Sequence, residues 1–358
     1  MGEHTDHSPH LAAVAVETRA LRYGAIAGGI TALGALLLFW GQHWPLWGGY
    51  SVGLVTLCTG TAAALGASSD AFWQSRRAPG GETRDQVPTW QAVLATAAIA
   101  IAHAVLVAVV IAAGFALLQR AFLGLEVDLL TAVMTSALVT GLVAYASGLD
   151  AARIDSGRLA GLLTWFVIVG IFAAMLTAED PQWWALNFSA LGMGGLNGAA
   201  FNLTLIVSGI LVVTLADYLA RDLAAWRAGT GQASRSADLV RAAFLGLGIA
   251  FVGVGLVAVD LSLIIHNSFA ALLAVVFAVL TVSAPWTLRG FPRSFFVANW
   301  VLLGALLATV ILFFPVGYLN LTGLELIAAG IIFAWLILFV RTLAAVTEDA
   351  RATARATP

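Results

Sequence analysis

The sequence has no lysine, one cysteine and very few charged residues, and each of these scarcities excludes a class of protein. Only 10% of the 358 residues are charged and 61% are hydrophobic, whereas soluble domains carry about 25% charged residues. A soluble surface cannot be built from this balance. A formal net charge of -2 also argues against nucleic acid as a partner, because phosphate binding needs a clustered basic face. The lone cysteine, Cys58, excludes an internal disulfide and a cysteine-based metal site.

Motifs for common chemistries are absent as well. The sequence contains no P-loop, no G-x-S-x-G elbow, no H-E-x-x-H pair and no cysteine–histidine spacing typical of zinc sites. We therefore predict no cofactor, no metal and no catalytic residue. These absences favour a non-enzymatic role.

Ten long apolar stretches dominate the chain. Each is close to the ~20 residues that a helix needs to cross a hydrocarbon layer of about 30 Å. Because lipid offers no partner for backbone N–H and C=O groups, each stretch must bond to itself as a helix. The stretches are Tyr23–Trp40, Trp47–Ala67, Trp90–Leu118, Leu129–Ser147, Leu159–Ala178, Ala199–Leu219, Ala242–Val259, Ser268–Trp286, Phe296–Phe314 and Leu324–Val346. The sequence predicts an all-α, polytopic transmembrane bundle of ten helices.

The arginines indicate how the helices are oriented. All 17 basic residues are arginine, and all but Arg120 lie before the first stretch, near or after the end of an even-numbered stretch, or in the C-terminal tail. Arginine and lysine accumulate in cytoplasmic loops, so both termini are predicted to be cytoplasmic. Abundant alanine and arginine without lysine further indicate a high-GC bacterial genome. We expect a multi-pass protein of the bacterial cytoplasmic membrane.

These patterns divide the chain into four parts. Residues 1–22 are predicted to be a cytoplasmic N-terminal tail, and residues 23–150 a four-helix transmembrane bundle. Residues 159–347 are predicted to form a six-helix transmembrane domain, followed by a cytoplasmic tail over residues 348–358.

Polar residues gather at the arginine-free ends of the second-half helices. If the helices form a bundle, these side chains converge on one acidic, hydrogen-bonding patch near the outer leaflet; alternatively, they are simply loop residues at a water boundary. The residues predicted to bind a ligand there are Ser189, Asn202, Asp260, His266, Asn267 and Glu325.

His103 is the one ionisable residue clearly inside an apolar stretch. Ionisable groups near the bilayer centre cost about 2.5–3.5 kcal/mol on insertion scales, so each is a candidate for function. We interpret His103 as a neutral histidine hydrogen-bonded to a neighbouring helix, because no carboxylate stands at helical spacing from it. A proton or metal role is the alternative.

Several short motifs in the second half carry a family resemblance. They are Asn187-Phe188-Ser189-Ala190-Leu191-Gly192, Phe201-Asn202, Gly255, His266-Asn267 and Gly323-Leu324-Glu325. Over residues 159–347 this pattern resembles the bacterial six-helix domain-of-unknown-function family numbered nine-nine-eight, a relative of the FRAG/DRAM/SFK membrane proteins. The resemblance implies a lipid-facing role.

Three functions remain open at this point. The favoured one is a non-enzymatic, lipid-interacting or regulatory membrane protein whose partners are membrane lipids. A secondary transporter with five-plus-five inverted repeats is the first alternative. The second alternative is an intramembrane metal-dependent lipid hydrolase that uses Ser189, Asp260 and His266. Against it, one histidine is few for zinc, which commonly takes three protein ligands in catalytic sites.

Overall fold

A computed structural model describes residues 8–77, 88–194, 198–230 and 235–356. Its α-helices are α1 (Ser8–Leu38), α2 (Val52–Ser75), α3 (Thr89–Ala121), α4 (Leu129–Ala152), α5 (Ser156–Leu176), α6 (Ala199–Thr230), α7 (Arg235–Leu256), α8 (Leu263–Thr287), α9 (Arg293–Phe313) and α10 (Leu321–Ala356). All ten are long and apolar enough to cross a membrane. The predicted all-α, ten-helix, multi-pass architecture is confirmed, while the orientation of the termini stays a prediction.

Within the described ranges, the only sheet is a pair of two-residue strands. Strand β1 (Trp44–Pro45) follows α1 and pairs antiparallel with β2 (Glu126–Val127), which precedes α4. This pairing fastens the α1–α2 loop to the α3–α4 loop at one end of the helices.

The helices fall into two compact units. The first covers Met1–Ile154 and contains α1 to α4, and the second covers Asp155–Pro358 and contains α5 to α10.

Glycine lets helices of the first unit approach closely. A Cβ added to Gly24 of α1 would lie 2.8 Å from the carbonyl oxygen of Gly141 in α4, and one added to Gly141 would lie 3.0 Å from the carbonyl oxygen of Gly24. Small residues permit this backbone contact, on which helix association in lipid depends. A hydroxyl pair, Thr59 with Thr140 at 2.8 Å, joins α2 to α4.

The second unit contains an equivalent crossing of α6 and α7. Here a Cβ on Gly209 would lie 2.6 Å from the carbonyl oxygen of Gly248, and one on Gly248 would lie 2.7 Å from that of Gly209. Further along the unit, the indole of Trp335 donates to the Oδ1 of the fully buried Asn299 at 2.7 Å. Asn299 donates in turn to the Thr281 carbonyl at 3.1 Å, which links α8, α9 and α10.

Several helices extend beyond the apolar stretches that predicted them. Residues 8–22 of the predicted N-terminal tail and residues 348–356 of the predicted C-terminal tail are helical, while residues 1–7 and 357–358 lie outside the described ranges. Helix α6 continues past Leu219 because Leu223 and Trp226 remain buried on one face of it. In α6, burial on one face therefore prolongs the helix after the purely apolar pattern ends.

Candidate functional site

The candidate site is built on the loop between α5 and α6, which we call the α5–α6 loop and define as residues 178–194. Two short 3₁₀ helices, Trp183–Ala185 and Phe188–Gly192, give the loop its shape. Trp183 and Phe188 pack on a small apolar core that contains Leu191 and Phe201. The segment is therefore folded onto the end of its own unit.

His266, in the first turns of α8, is the most deeply buried polar side chain at this loop. It is only 3% exposed, and its Nδ1 lies 2.7 Å from the Val257 carbonyl oxygen while its Nε2 lies 2.9 Å from Ser189 Oγ. A carbonyl oxygen only accepts, so Nδ1 carries the proton of the neutral ring. Nε2 then accepts from the Ser189 hydroxyl, and the imidazole fastens the loop to α8.

Helix α10 holds the same loop from another side. The half-buried carboxylate of Glu325 accepts from the backbone N–H of Phe188 at 2.5 Å. The Thr322 hydroxyl and the Asn320 side-chain amide both donate to the Trp184 carbonyl, at 2.8 Å and 3.1 Å. The backbone of the 3₁₀ helices, which makes few bonds of its own, is thereby satisfied by side chains.

Helix α6 and the α7–α8 connection complete the attachment. Asn202 Nδ2 donates to the Gly192 carbonyl at 2.9 Å, and a Cβ on Gly192 would come within 2.4 Å of Asn202 Oδ1. Only glycine fits at that position while the bond is kept. Asp260 accepts from the Gly194 N–H over a longer distance of 3.4 Å.

The structure therefore brings all but one of the predicted site residues onto one loop. The exception is Asn267, which follows His266 but is exposed and takes no part in these bonds. The ligand-binding role assigned to the six residues stays a prediction, since the bonds found are bonds to the protein itself.

A depression of about 270 Å³ lies against the α5–α6 loop. Its lining includes the carboxylates of Glu179 and Asp180, the ring of Trp183 and the apolar side chains of Leu186 and Met193. The depression is therefore lined by both acidic and apolar residues.

One buried oxygen within the α5–α6 loop has no hydrogen-bond donor in the described part of the chain. Among the described residues, Asn187 Oδ1 is a buried acceptor without a hydrogen-bond partner. A buried acceptor left unpaired costs about 1–3 kcal/mol, so it favours a donor from outside the chain.

Sequence reasoning missed the carboxylate that faces His103 in the first unit. The histidine bonds the Ile99 carbonyl through Nδ1 at 2.8 Å and Asp150 Oδ2 through Nε2 at 3.2 Å. The partner comes from α4 rather than from helical spacing within α3. The signal existed, because Asp150 stands just beyond the apolar stretch that ends at Ser147.

The described residues contain no group of three histidine, cysteine, aspartate or glutamate side chains that could hold a metal ion. Comparison with known proteins found no matching family model, no matching curated protein and no matching solved structure. The resemblance to the six-helix family accordingly stays a prediction.

Proposed function

We propose that this integral membrane protein lies in the cytoplasmic membrane of a bacterium with both termini in the cytoplasm. The placement of every arginine but Arg120 supports this orientation. The α5–α6 loop is then on the outer side, at the level of the lipid head groups.

We further propose that the second unit binds a membrane lipid there without chemically changing it. The observation that carries the proposal is the anchoring of one loop by α6, α8 and α10 beside an acidic and aromatic depression. Glu179 and Asp180 provide negative charge and Trp183 provides an aromatic side chain, which together suit a cationic head group such as choline. Leu186 and Met193 offer apolar contact to the acyl region.

In this proposal His266, Glu325 and Asn202 are positioning residues. Their hydrogen-bonding atoms contact the α5–α6 loop. They hold the depression in shape instead of touching the lipid.

Lipid binding to the purified full-length protein tests the proposal directly. We expect native mass spectrometry to detect more bound phosphatidylcholine than phosphatidylglycerol, and the Glu179→Gln/Asp180→Asn double variant to lose that preference. Glu126→Gln, an exposed acidic residue of the first unit, is the matched control. An unchanged preference in the double variant would remove the support for this site.

A serine hydrolase is a second candidate, favoured by the bond between Ser189 Oγ and His266 Nε2. A hydroxyl bonded to a histidine whose other nitrogen is fixed is the arrangement of an activated nucleophile. Labelling by a fluorophosphonate in the wild type, abolished in Ser189→Ala, would favour the hydrolase over a binding protein.

The units contain four and six helices, a division that lends no support to the five-plus-five transporter.

A further inference from the structure

A second groove lies in the same unit, at the opposite end from the α5–α6 loop. It has a volume of about 740 Å³ and runs between the beginning of α5 and the end of α10. Both of these helix ends belong to the arginine-rich side of the chain. The groove shares no lining residue with the depression at the α5–α6 loop.

The inner part of the groove is apolar. Trp165 and Ile168 of α5 face Ile337 and Val340 of α10 along it. Small residues, Gly161 among them, also line the groove. This part has the chemistry of an acyl-chain site.

The mouth of the groove carries charges in a definite order. Arg341 and Glu348 lie seven residues apart on α10, which is two turns or about 10 Å along one face. Arg341 follows about 20 residues after the start of α10, a length that crosses a hydrocarbon core, and we therefore place it at the boundary with the head groups. Glu348 lies two turns further into the head-group region, and both side chains are exposed.

Helix α5 contributes one charge of each sign at the same mouth. Asp155 caps the helix by accepting from the Arg158 backbone N–H at 2.8 Å. The two side chains are a loose pair, with 4.0 Å between Arg158 Nε and Asp155 Oδ2. The whole mouth therefore presents two cationic and two anionic groups.

The geometry points to a zwitterionic phospholipid with a primary ammonium, the phosphatidylethanolamine class, as the occupant of this groove. Its acyl chain lies along Trp165, its phosphate meets Arg341, and its ammonium meets Glu348 further from the membrane core. In such a lipid the phosphate lies between the acyl chains and the amine. The groove has the matching order: its apolar part for the acyl chain, then Arg341 for the phosphate, then Glu348 for the ammonium. Arginine also binds phosphate oxygens in bidentate fashion.

Other phospholipids match the mouth less well. Phosphatidylglycerol provides the phosphate but leaves the carboxylates of Glu348 and Asp155 facing a net negative ligand. Phosphatidylcholine provides a cation that has no N–H to donate to a carboxylate. The groove therefore selects by charge order and by hydrogen-bond donors.

Native mass spectrometry of the full-length protein with each of these three lipids tests the inference. We expect the wild type to bind phosphatidylethanolamine roughly fivefold better than phosphatidylglycerol, as one charge contact near a membrane surface provides. Arg341→Gln should weaken binding of both lipids, and Arg341→Lys should give an intermediate affinity because it keeps the charge and loses the bidentate contact. Glu348→Gln should abolish the preference by improving phosphatidylglycerol binding.

Two controls match the charges without lining the groove. Arg289→Gln and Asp238→Asn alter exposed residues of the same unit and should leave the preference intact. Measuring the Arg341 and Glu348 variants again in the Glu179→Gln/Asp180→Asn background removes the acidic contribution of the α5–α6 loop, so a failure here is separable from a failure there. Equal or better binding of phosphatidylglycerol by the wild type, or a preference unaffected by Glu348→Gln, would overturn the inference.

Discussion

The imidazole of His266 accepts a hydrogen bond from Ser189 Oγ at 2.9 Å while its other nitrogen donates to the Val257 carbonyl at 2.7 Å. Both ring nitrogens are thus engaged by the protein. One buried side chain joins the α5–α6 loop, the end of α7 and the beginning of α8. The shape of the depression beside the loop therefore depends on a residue that does not line it.

Removing this ring is expected to release the loop. His266→Ala loses two hydrogen bonds and leaves a cavity, so we expect a loss of about 2–4 kcal/mol in stability. Ser189→Ala removes only one bond and should cost about 0.5–1.5 kcal/mol. Thermal unfolding in detergent and hydrogen exchange over residues 178–194 measure the two effects. His43→Ala, at an exposed site of the first unit, is the control, and equal exchange in His266→Ala and the wild type would contradict the anchoring role.

Substitutions at Glu325 separate hydrogen bonding from charge. Glu325→Gln retains an acceptor for the Phe188 N–H, whereas Glu325→Leu leaves that donor without its partner. We expect little change in the first variant and a loss of about 1–3 kcal/mol in the second. Hydrogen exchange at residues 186–190 reports the loop directly. If Glu325→Gln is as damaging as Glu325→Leu, the carboxylate has a role that this bond does not explain.

The buried pair of Asn299 and Trp335 is expected to stabilise the packing of α9 on α10. Side-chain hydrogen bonds inside membrane proteins average about 0.6 kcal/mol and reach about 1.7 kcal/mol. A double-mutant cycle with Asn299→Ala and Trp335→Phe should give a coupling energy in that range. If the two substitutions lower the stability additively, the hydrogen bond itself contributes nothing, and the losses come only from the packing of each side chain.

Asp128 should make the first unit less stable at low pH. It caps α4 by accepting from the N–H groups of Leu130 and Thr131, and the Thr131 hydroxyl donates to it at 2.7 Å. The hydrogen bond from the Thr131 side chain, together with the backbone bonds, lowers the pKa of this exposed carboxyl below its usual value.

The pKa of Asp128 is lower in the folded protein than in the unfolded chain. The carboxylate therefore stabilises the folded state fully above the unfolded pKa, and this stabilisation is lost as the pH falls through the folded pKa. Unfolding temperatures of the wild type and Asp128→Ala should therefore differ at neutral pH and converge in acid. Asp128→Asn keeps a capping acceptor that does not ionise, so its unfolding temperature should not show this dependence on pH. A difference that persists at low pH would contradict this account.

The sequence was sufficient to predict the ten helices, because lipid leaves an apolar backbone no alternative to helical hydrogen bonding. Helix ends were harder to predict. The extension of α6 to Thr230 depends on the burial of Leu223 and Trp226 against neighbours that no local pattern identifies.

The candidate site was predictable as a set of residues but not as a set of bonds. His266 and Glu325 stood out because polar residues are rare in this chain, yet their partners, Ser189 and the Phe188 N–H, are fixed only by how α8 and α10 meet the loop. The same holds for His103, whose carboxylate partner lies 47 residues away on another helix.

Cysteine labelling in intact cells tests most directly the orientation on which both lipid proposals depend. In a Cys58→Ala background, one variant carries Gln182→Cys in the α5–α6 loop and another carries Arg289→Cys between α8 and α9; both sites are exposed. We expect a membrane-impermeant maleimide to label the first variant in intact cells and the second only after the cells are lysed. Labelling of Arg289→Cys from outside, with Gln182→Cys protected until lysis, would contradict the orientation and place the α5–α6 loop in the cytoplasm.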